Sequence, residues 1–310
     1  MTLNDAAPEA VTETIDPRLL REVSLTINKA HLFIYFVPEV SEEAARLGVT
    51  ESGPAYFALR GAALGAVPWQ VVLAAFYGFS PRSVRVMDGV WNIATPEQWQ
   101  AARFTAAGRA MRRVGVSLTD DQIAEARALL DPVVARADYA WKSMAAANAS
   151  VPLPDDPLVA LWQQITVLRE WRGDAHFTVL AANGIGPCDC NVLEVAVGRM
   201  PERLARDTRR WNDEEVAAAT ARLVARGWLH ADGTVTAEGV EARKRIEAET
   251  DRHCAALWTS VDEADIRRLI TLLSPIIEAF IAADTFPFRV TPPEIPSGEQ
   301  SAEPAGKTAL

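Results

Sequence analysis

Residues Leu158–Ala181 read LVALWQQITVLREWRGDAHFTVLA. At 100° per residue, Leu158, Leu161, Trp162, Ile165, Leu168, Val179 and Leu180 form one apolar stripe, which predicts a long amphipathic helix. Arg169, Arg172 and His176 fall inside that stripe, while Glu170 and Asp174 project from nearly the opposite side. An unpaired charge on a buried face is costly, so carboxylates of another helix or an anionic ligand must meet these cations. Gly173 in the helix interior costs about 1 kcal/mol relative to Ala and predicts a close approach by another backbone or a ligand.

The same 3.6-residue period runs through nearly all of the chain from about residue 17 to residue 286. Alternating strand-like runs are almost absent, which predicts a mainly α protein. Pro17–Val37 repeats the arrangement, with Leu20, Val23, Ile27, Ala30 and Ile34 as the stripe and His31 beside it. One hairpin interrupts the helices: WLHADGTVT, Trp228–Thr236, sets an Asp232-Gly233 turn between two short arms. Residues 1–16 are acidic and aperiodic, and PFRVTPPEIPSGEQSAEPAGKTAL from Pro287 holds five prolines and little apolar content. Both ends, 1–16 and 287–310, are therefore expected to be disordered tails.

The 310 residues, 49% of them hydrophobic, suffice for two modest domains with real cores. Lys and Arg total 31 against 41 Asp and Glu, a net charge of −10, which opposes broad wrapping by nucleic acid or attachment to an anionic membrane. Three cysteines cannot build a disulfide framework, and MTLNDAAPEA has no basic-then-apolar signal pattern, so a cytoplasmic, reducing location is expected. No apolar run approaches the ~18 residues of a membrane span.

A weak internal repetition relates Gly48–Trp91 to Gly184–Trp228. Each has a helix opening onto Gly65-Ala-Val-Pro68 or Gly198-Arg-Met-Pro201, a second helix, a turn at Phe79-Ser80 or Trp211-Asn212, and a third helix ending in Trp. Ser80 and Asn212 are good N-caps, and the order of elements is that of a helix-turn-helix. The expected organisation is two tandem winged-helix-like halves about a pseudo-two-fold axis, 17–150 degenerate and 151–286 keeping a small β-wing.

The second copy resembles the MarR-like winged helix. In that family a helix, a short helix and a recognition helix precede a two-stranded wing, a Leu-Thr-x-x-Gly step and long dimerising helices. Here Ala225-Arg226-Gly227-Trp228-Leu229 stands at the end of the recognition helix, Val235-Thr236-Ala237-Glu238-Gly239 at the step, and Val261–Asp265 at the start of the last helix. The whole chain is similar to actinobacterial proteins carrying Leu-Arg-Glu-x-Arg-Gly-Asp-x-His, here Leu168–His176, before such a domain. The resemblance implies DNA binding, yet the residues oppose it. The wing HADGTV has no Arg or Lys, the recognition helix opens Asn212-Asp-Glu-Glu215, and residues 184–240 hold seven Arg against nine acids. Arg203, Arg206, Arg209 and Arg210 are the candidate phosphate contacts.

If the leading helices of the two halves pack as in a family dimer, His31, Tyr35, Arg169, Arg172 and His176 converge on one cleft, with Tyr56 and Arg60 lining it from the first copy. The expected function is that of a regulatory or accessory protein binding a small molecule, an anion being one candidate. The alternative is an enzyme of specialised metabolism, with His31 and His176 as acid and base or metal ligands and Arg169 and Arg172 as an anion clamp. The chain is expected to be a monomer holding an internal pseudo-dimer, or a homodimer. Cys188-x-Cys190 and His253-Cys254 lack zinc-site spacing, so no metal is expected, and no phosphate loop, Gly-x-Ser-x-Gly, His-Glu-x-x-His or dinucleotide fingerprint names a cofactor.

Overall fold

A computed structural model describes residues 15–291 of the chain. In order these form α1 (Pro17–Leu32), α2 (Pro38–Arg46), α3 (Ser52–Gly61), α4 (Trp69–Ala75), α5 (Pro81–Val84), α6 (Pro96–Arg113) and α7 (Asp120–Arg136). There follow α8 (Ser143–Ala149), α9 (Pro157–Ala182), α10 (Pro187–Ala196), α11 (Glu202–Arg209), α12 (Asp213–Ala225), α13 (Ala237–Ala255) and α14 (Glu263–Ala282). The protein is mainly α, as its periodicity predicts.

Helix α9 is the axis of the molecule. Asp156 caps it, accepting from the N–H groups of Leu158 (3.0 Å) and Val159 (3.3 Å), and Pro157 supplies its first residue. Leu161, Trp162, Ile165 and Leu168 join the largest core cluster with residues of α1, α6, α7, α13 and α14. Farther along, Val179 and Leu180 belong to a second cluster with Leu193 of α10, Leu223 of α12 and Ile246 of α13. Because neighbours surround α9, its polar side is buried too. Glu170 and Asp174, expected opposite the buried stripe, are 1% and 7% exposed. Asp174 accepts from the N–H groups of Met144 and Ala145 (3.0 Å each) at the start of α8, and burial pushes its carboxyl up to about 6.

The expected tandem repeat of three-helix units is not formed, although its first two elements share their punctuation. Helices α3 and α10 are followed by glycines at positive φ, Gly65 (81°) and Gly198 (75°), and then α4 and α11 begin after Pro68 and Pro201. Their third elements differ. Helix α12 runs for 13 residues, whereas α5 has four and gives way to 3-10 turns at Arg85–Met87 and Val90–Asn92. Gly89, at φ 82°, breaks the first segment where Ala-rich sequence sustains α12, so two matching three-helix units are not formed. Trp228 lies beyond the end of α12.

The small β-wing expected in the second half is not formed. The Asp232-Gly233 turn forms, with His230 N–H donating to the Thr234 carbonyl (2.8 Å) and Thr236 N–H to that of Trp228 (3.0 Å). Leu229 and Val235 make only an isolated antiparallel bridge, and no strand is present among the described residues. The hairpin docks backbone-first on α13: a Cβ built at Gly239 would lie 2.1 Å from the Trp228 carbonyl oxygen. Gly239→Ala should therefore lower stability by about 1–3 kcal/mol in denaturant unfolding, and an unchanged midpoint would refute this docking.

Of the tails expected at 1–16 and 287–310, residues 1–14 and 292–310 lie outside the described residues. The inner ends of those tails are structured. Asp16 caps α1 and donates its N–H to Glu263 of α14 (2.9 Å), while the Phe288 ring meets Phe36 edge-on at 5.5 Å. Asp16 and Phe288, beside the expected boundaries at residues 16 and 287, thus contact the folded body.

Candidate functional site

A cleft of about 1290 Å³ opens beside α9, bounded by the end of α1, α2, α3, α11 and residues 288–291. A smaller chamber of about 220 Å³ adjoins it, sharing Asn28, Arg169, His176, Glu194 and Arg199 as walls. Of the residues singled out from sequence, Tyr35, Tyr56, Arg60, Arg169 and His176 line the cleft, and Arg172 lines the chamber with Arg169 and His176. His31 lines neither.

His31 is fully buried, stacked on Trp162 at 5.4 Å between ring centres, with its Nε2 3.3 Å from an Nη2 of Arg103. Burial, and then Arg169 and Arg103, hold its pKa well below the usual value. The expected His31 and His176 pair is therefore not assembled in the cleft. A histidine on the inner side of a helix stripe has been absorbed by the core.

The charge balance of the cleft is its main property. Arg60, 6% exposed, binds Glu170 through Nε to Oε1 (3.1 Å) and Nη2 to Oε2 (3.0 Å), and donates from Nη1 to the Tyr56 hydroxyl (3.1 Å). Arg169 binds the same Glu170 Oε2 at 2.8 Å. Burial opposes ionisation of Glu170, but Arg169 and Arg60 hold its carboxyl well below the usual range. Arg103 is 2% exposed and has no carboxylate partner among the described residues; it meets Asn148 Oδ1 (3.2 Å), His31 and the Trp162 ring. Arg209 lies over the Phe79 ring at 3.9 Å. Burial lowers the pKa of both Arg103 and Arg209, which is the mark of charge without adequate compensation. The Tyr35 hydroxyl is buried and has no hydrogen-bond partner among the described residues.

Sequence reasoning missed Arg103 altogether and offered Arg209 only as a phosphate contact, not as a cleft residue. Arg103 carried a signal, since it sits on the Trp99, Ala102, Ala106 face of α6 much as Arg169 sits on the α9 stripe. Arg209 belongs to the candidate phosphate contacts Arg203, Arg206, Arg209 and Arg210. Of that candidate set, Arg203 and Arg206 are exposed and paired with Asp207 (3.5 Å), Glu202 (3.3 Å) and Asp213 (3.1 Å), while Arg209 and Arg210 line the cleft. The four do not form one outward cluster.

Arg172 is held by Glu247 (2.9 Å) and Asp251 (2.7 Å) of α13, which also hold Arg21; Arg243 adds pairs to Glu247 and Glu194. Carboxylates of a neighbouring helix thus satisfy this cation. His176 donates from Nδ1 to Thr250 Oγ1 (2.9 Å), whose own hydroxyl donates to the Ile246 carbonyl (2.8 Å). Burial lowers its pKa to about 3, so it is neutral near pH 7, and no carboxylate bonds to it among the described residues. Gly173 meets no foreign backbone. A Cβ there would find only Glu170 Oε2 at 3.7 Å and Arg169 Nη1 at 4.0 Å, and the residue faces the chamber. The thiols of Cys188, Cys190 and Cys254 are pushed up to between about 11 and about 12 by burial, and no metal-holding group of three or more His, Cys, Asp or Glu occurs among the described residues. No single helix among them is long and apolar enough to cross a membrane.

Helices α11 and α12 join through Arg210–Asn212, with Arg210 at φ 56°, and Asn212 caps α12 through a reciprocal bond with Glu215. This short helix, tight turn and longer helix is the helix-turn-helix unit. A sequence model of a helix-turn-helix family matches residues 20–287. The chain belongs to this helix-turn-helix family. No curated protein and no solved structure matches it. In this family member the turn is covered from within the chain. Ser80 donates from N and Oγ to the Arg209 (3.1 Å) and Arg210 (3.0 Å) carbonyls, Ser83 Oγ to that of Thr208 (2.7 Å), and Trp211 Nε1 to that of Gly78 (3.2 Å). Arg82 pairs with Glu215 in the first turn of α12.

Proposed function

We propose that this helix-turn-helix protein is a regulatory or accessory member of MarR-like type that binds an anionic small molecule in its cleft and does not read DNA through α12. One observation carries the reading: Arg60, Arg103, Arg169 and Arg209 stand at the cleft with Glu170 as the one carboxylate bonded to any of them among the described residues. In a chain of net charge −10, such an excess of guanidinium, with Arg60 and Arg103 buried, is an attractor for an anion, and the aromatic walls of Tyr35, Tyr56 and Phe79 favour an apolar body behind it.

Three features oppose DNA recognition. The first turn of α12 carries Asp213, Glu214 and Glu215, the hairpin has no cation, and the turn before α12 is occupied by residues 78–83. Benzoate, naphthoate and biphenyl-4-carboxylate, tested by calorimetry, should include at least one binder, with affinity falling about tenfold or more in Arg169→Gln. If none binds, or if binding ignores Arg169, the cleft reading is wrong. Nanomolar, sequence-selective DNA binding at about 150 mM salt would overturn the second half of the proposal.

A further inference from the structure

The inference rests on the anion reading above and specifies the ligand. Arg169, Gly173 and His176 are four and three residues apart on α9, so they share one face, and all three line the small chamber. Arg169 and His176 also line the large cleft, so the face spans the junction of the two spaces. Seven residues at 1.5 Å each separate the two ends by roughly 10 Å along the axis. Between them Gly173 leaves a trough; an added Cβ would meet nothing nearer than 3.7 Å, so the glycine is not required by neighbouring backbone. A mid-helix glycine with no packing reason is accounted for if the missing side chain is the floor of a binding site.

The far end of the trough has a defined polarity. The Thr250 hydroxyl donates to the Ile246 carbonyl, so toward His176 Nδ1 it acts as acceptor and places the imidazole proton on Nδ1. Nε2 is left as a lone-pair acceptor, and no hydrogen bond to it occurs among the described residues. At the near end Arg169 offers a cation that shares Glu170, its only carboxylate among the described residues, with Arg60. We propose that the ligand is an elongated acid with a hydrogen-bond donor at the opposite end, lying over Gly173 with its anion at Arg169 and its donor on Nε2 of His176.

The matched probes are 4'-hydroxybiphenyl-4-carboxylate and biphenyl-4-carboxylate, titrated calorimetrically into the full chain. Wild-type protein should bind the hydroxylated acid about tenfold more tightly, the effect of one hydrogen bond to a buried acceptor. His176→Phe should abolish that preference while leaving the plain acid bound. Gly173→Leu should weaken both acids, with Gly173→Ala as a folding control whose melting temperature is equal to or above that of the wild type. Equal affinities in the wild type, a preference that survives His176→Phe, or undiminished binding to Gly173→Leu would each overturn the inference while leaving an Arg169-dependent anion site intact. Binding of neither acid, or binding indifferent to Arg169→Gln, overturns the anion reading and this inference with it.

Discussion

Glu170→Gln should destabilise the protein by about 3–5 kcal/mol in denaturant unfolding, the usual cost of removing one partner of a buried ion pair. Glu170 is 1% exposed and is the only carboxylate bonded to Arg60 and Arg169 among the described residues; Arg60 is itself 6% exposed. The isosteric amide keeps the volume and loses the charge, so the loss reports electrostatics and not packing. The triple variant Arg60→Met, Arg169→Met and Glu170→Leu should recover much of it, because Glu170 holds both guanidinium groups and replacing all three partners by apolar groups removes the uncompensated charge. A single-variant cost below about 1 kcal/mol would mean that solvent in the cleft screens the guanidinium groups, and the charge argument for an anionic ligand would weaken with it. Biphenyl-4-carboxylate should raise the melting temperature of Glu170→Gln more than that of the wild type, since the variant leaves more positive charge to neutralise.

Acid should unfold the protein earlier than its carboxylates alone would require. In the folded chain His176 takes up a proton only near pH 3, whereas in the unfolded chain it does so near pH 6.5. The unfolded state is therefore protonated first as pH falls, and the loss begins at about pH 6.5. It reaches about 2 kcal/mol at pH 5 and about 4 kcal/mol at pH 3.5. His31 acts in the same direction, being held neutral by burial and by Arg169 and Arg103. Glu170 and Glu247, buried but held low by their arginines, add further losses as pH drops through the unfolded carboxylate range. Asp174 works in the opposite sense, since its carboxyl at about 6 binds a proton earlier in the folded state and returns roughly 1 kcal/mol between pH 6 and 5. His176→Gln isolates the histidine. The difference in unfolding free energy between pH 7 and pH 5 should shrink by about 2 kcal/mol relative to wild type, and an unchanged difference would show that His176 is solvated and titrates normally.

Local signals in the sequence determined most of the secondary structure, because helix period and caps act within a few residues. The stripe on Leu158–Ala181, the caps at Ser80 and Asn212, the Asp232-Gly233 turn and the placing of Gly239 all describe neighbours along the chain, and each is present. Tyr35, Tyr56, Arg60, Arg169 and His176 could be picked out because a polar group in or beside an apolar face must have a purpose, and all five line one cleft. What one helix wheel cannot contain is the number of neighbours a helix will have. Helix α9 is enclosed by α1, α6, α7, α8 and α13, so Glu170 and Asp174, on the side that an amphipathic reading assigns to water, are buried and partnered. For the same reason His31 fell into the core and Arg103 came to the cleft from a helix more than fifty residues away in sequence. The turn before α12, legible as a helix-turn-helix from its spacing, is covered by residues 78–83, a contact between segments about 130 residues apart. Only the tertiary structure could decide these matters, because charge compensation and access depend on which distant groups are brought within hydrogen-bond reach.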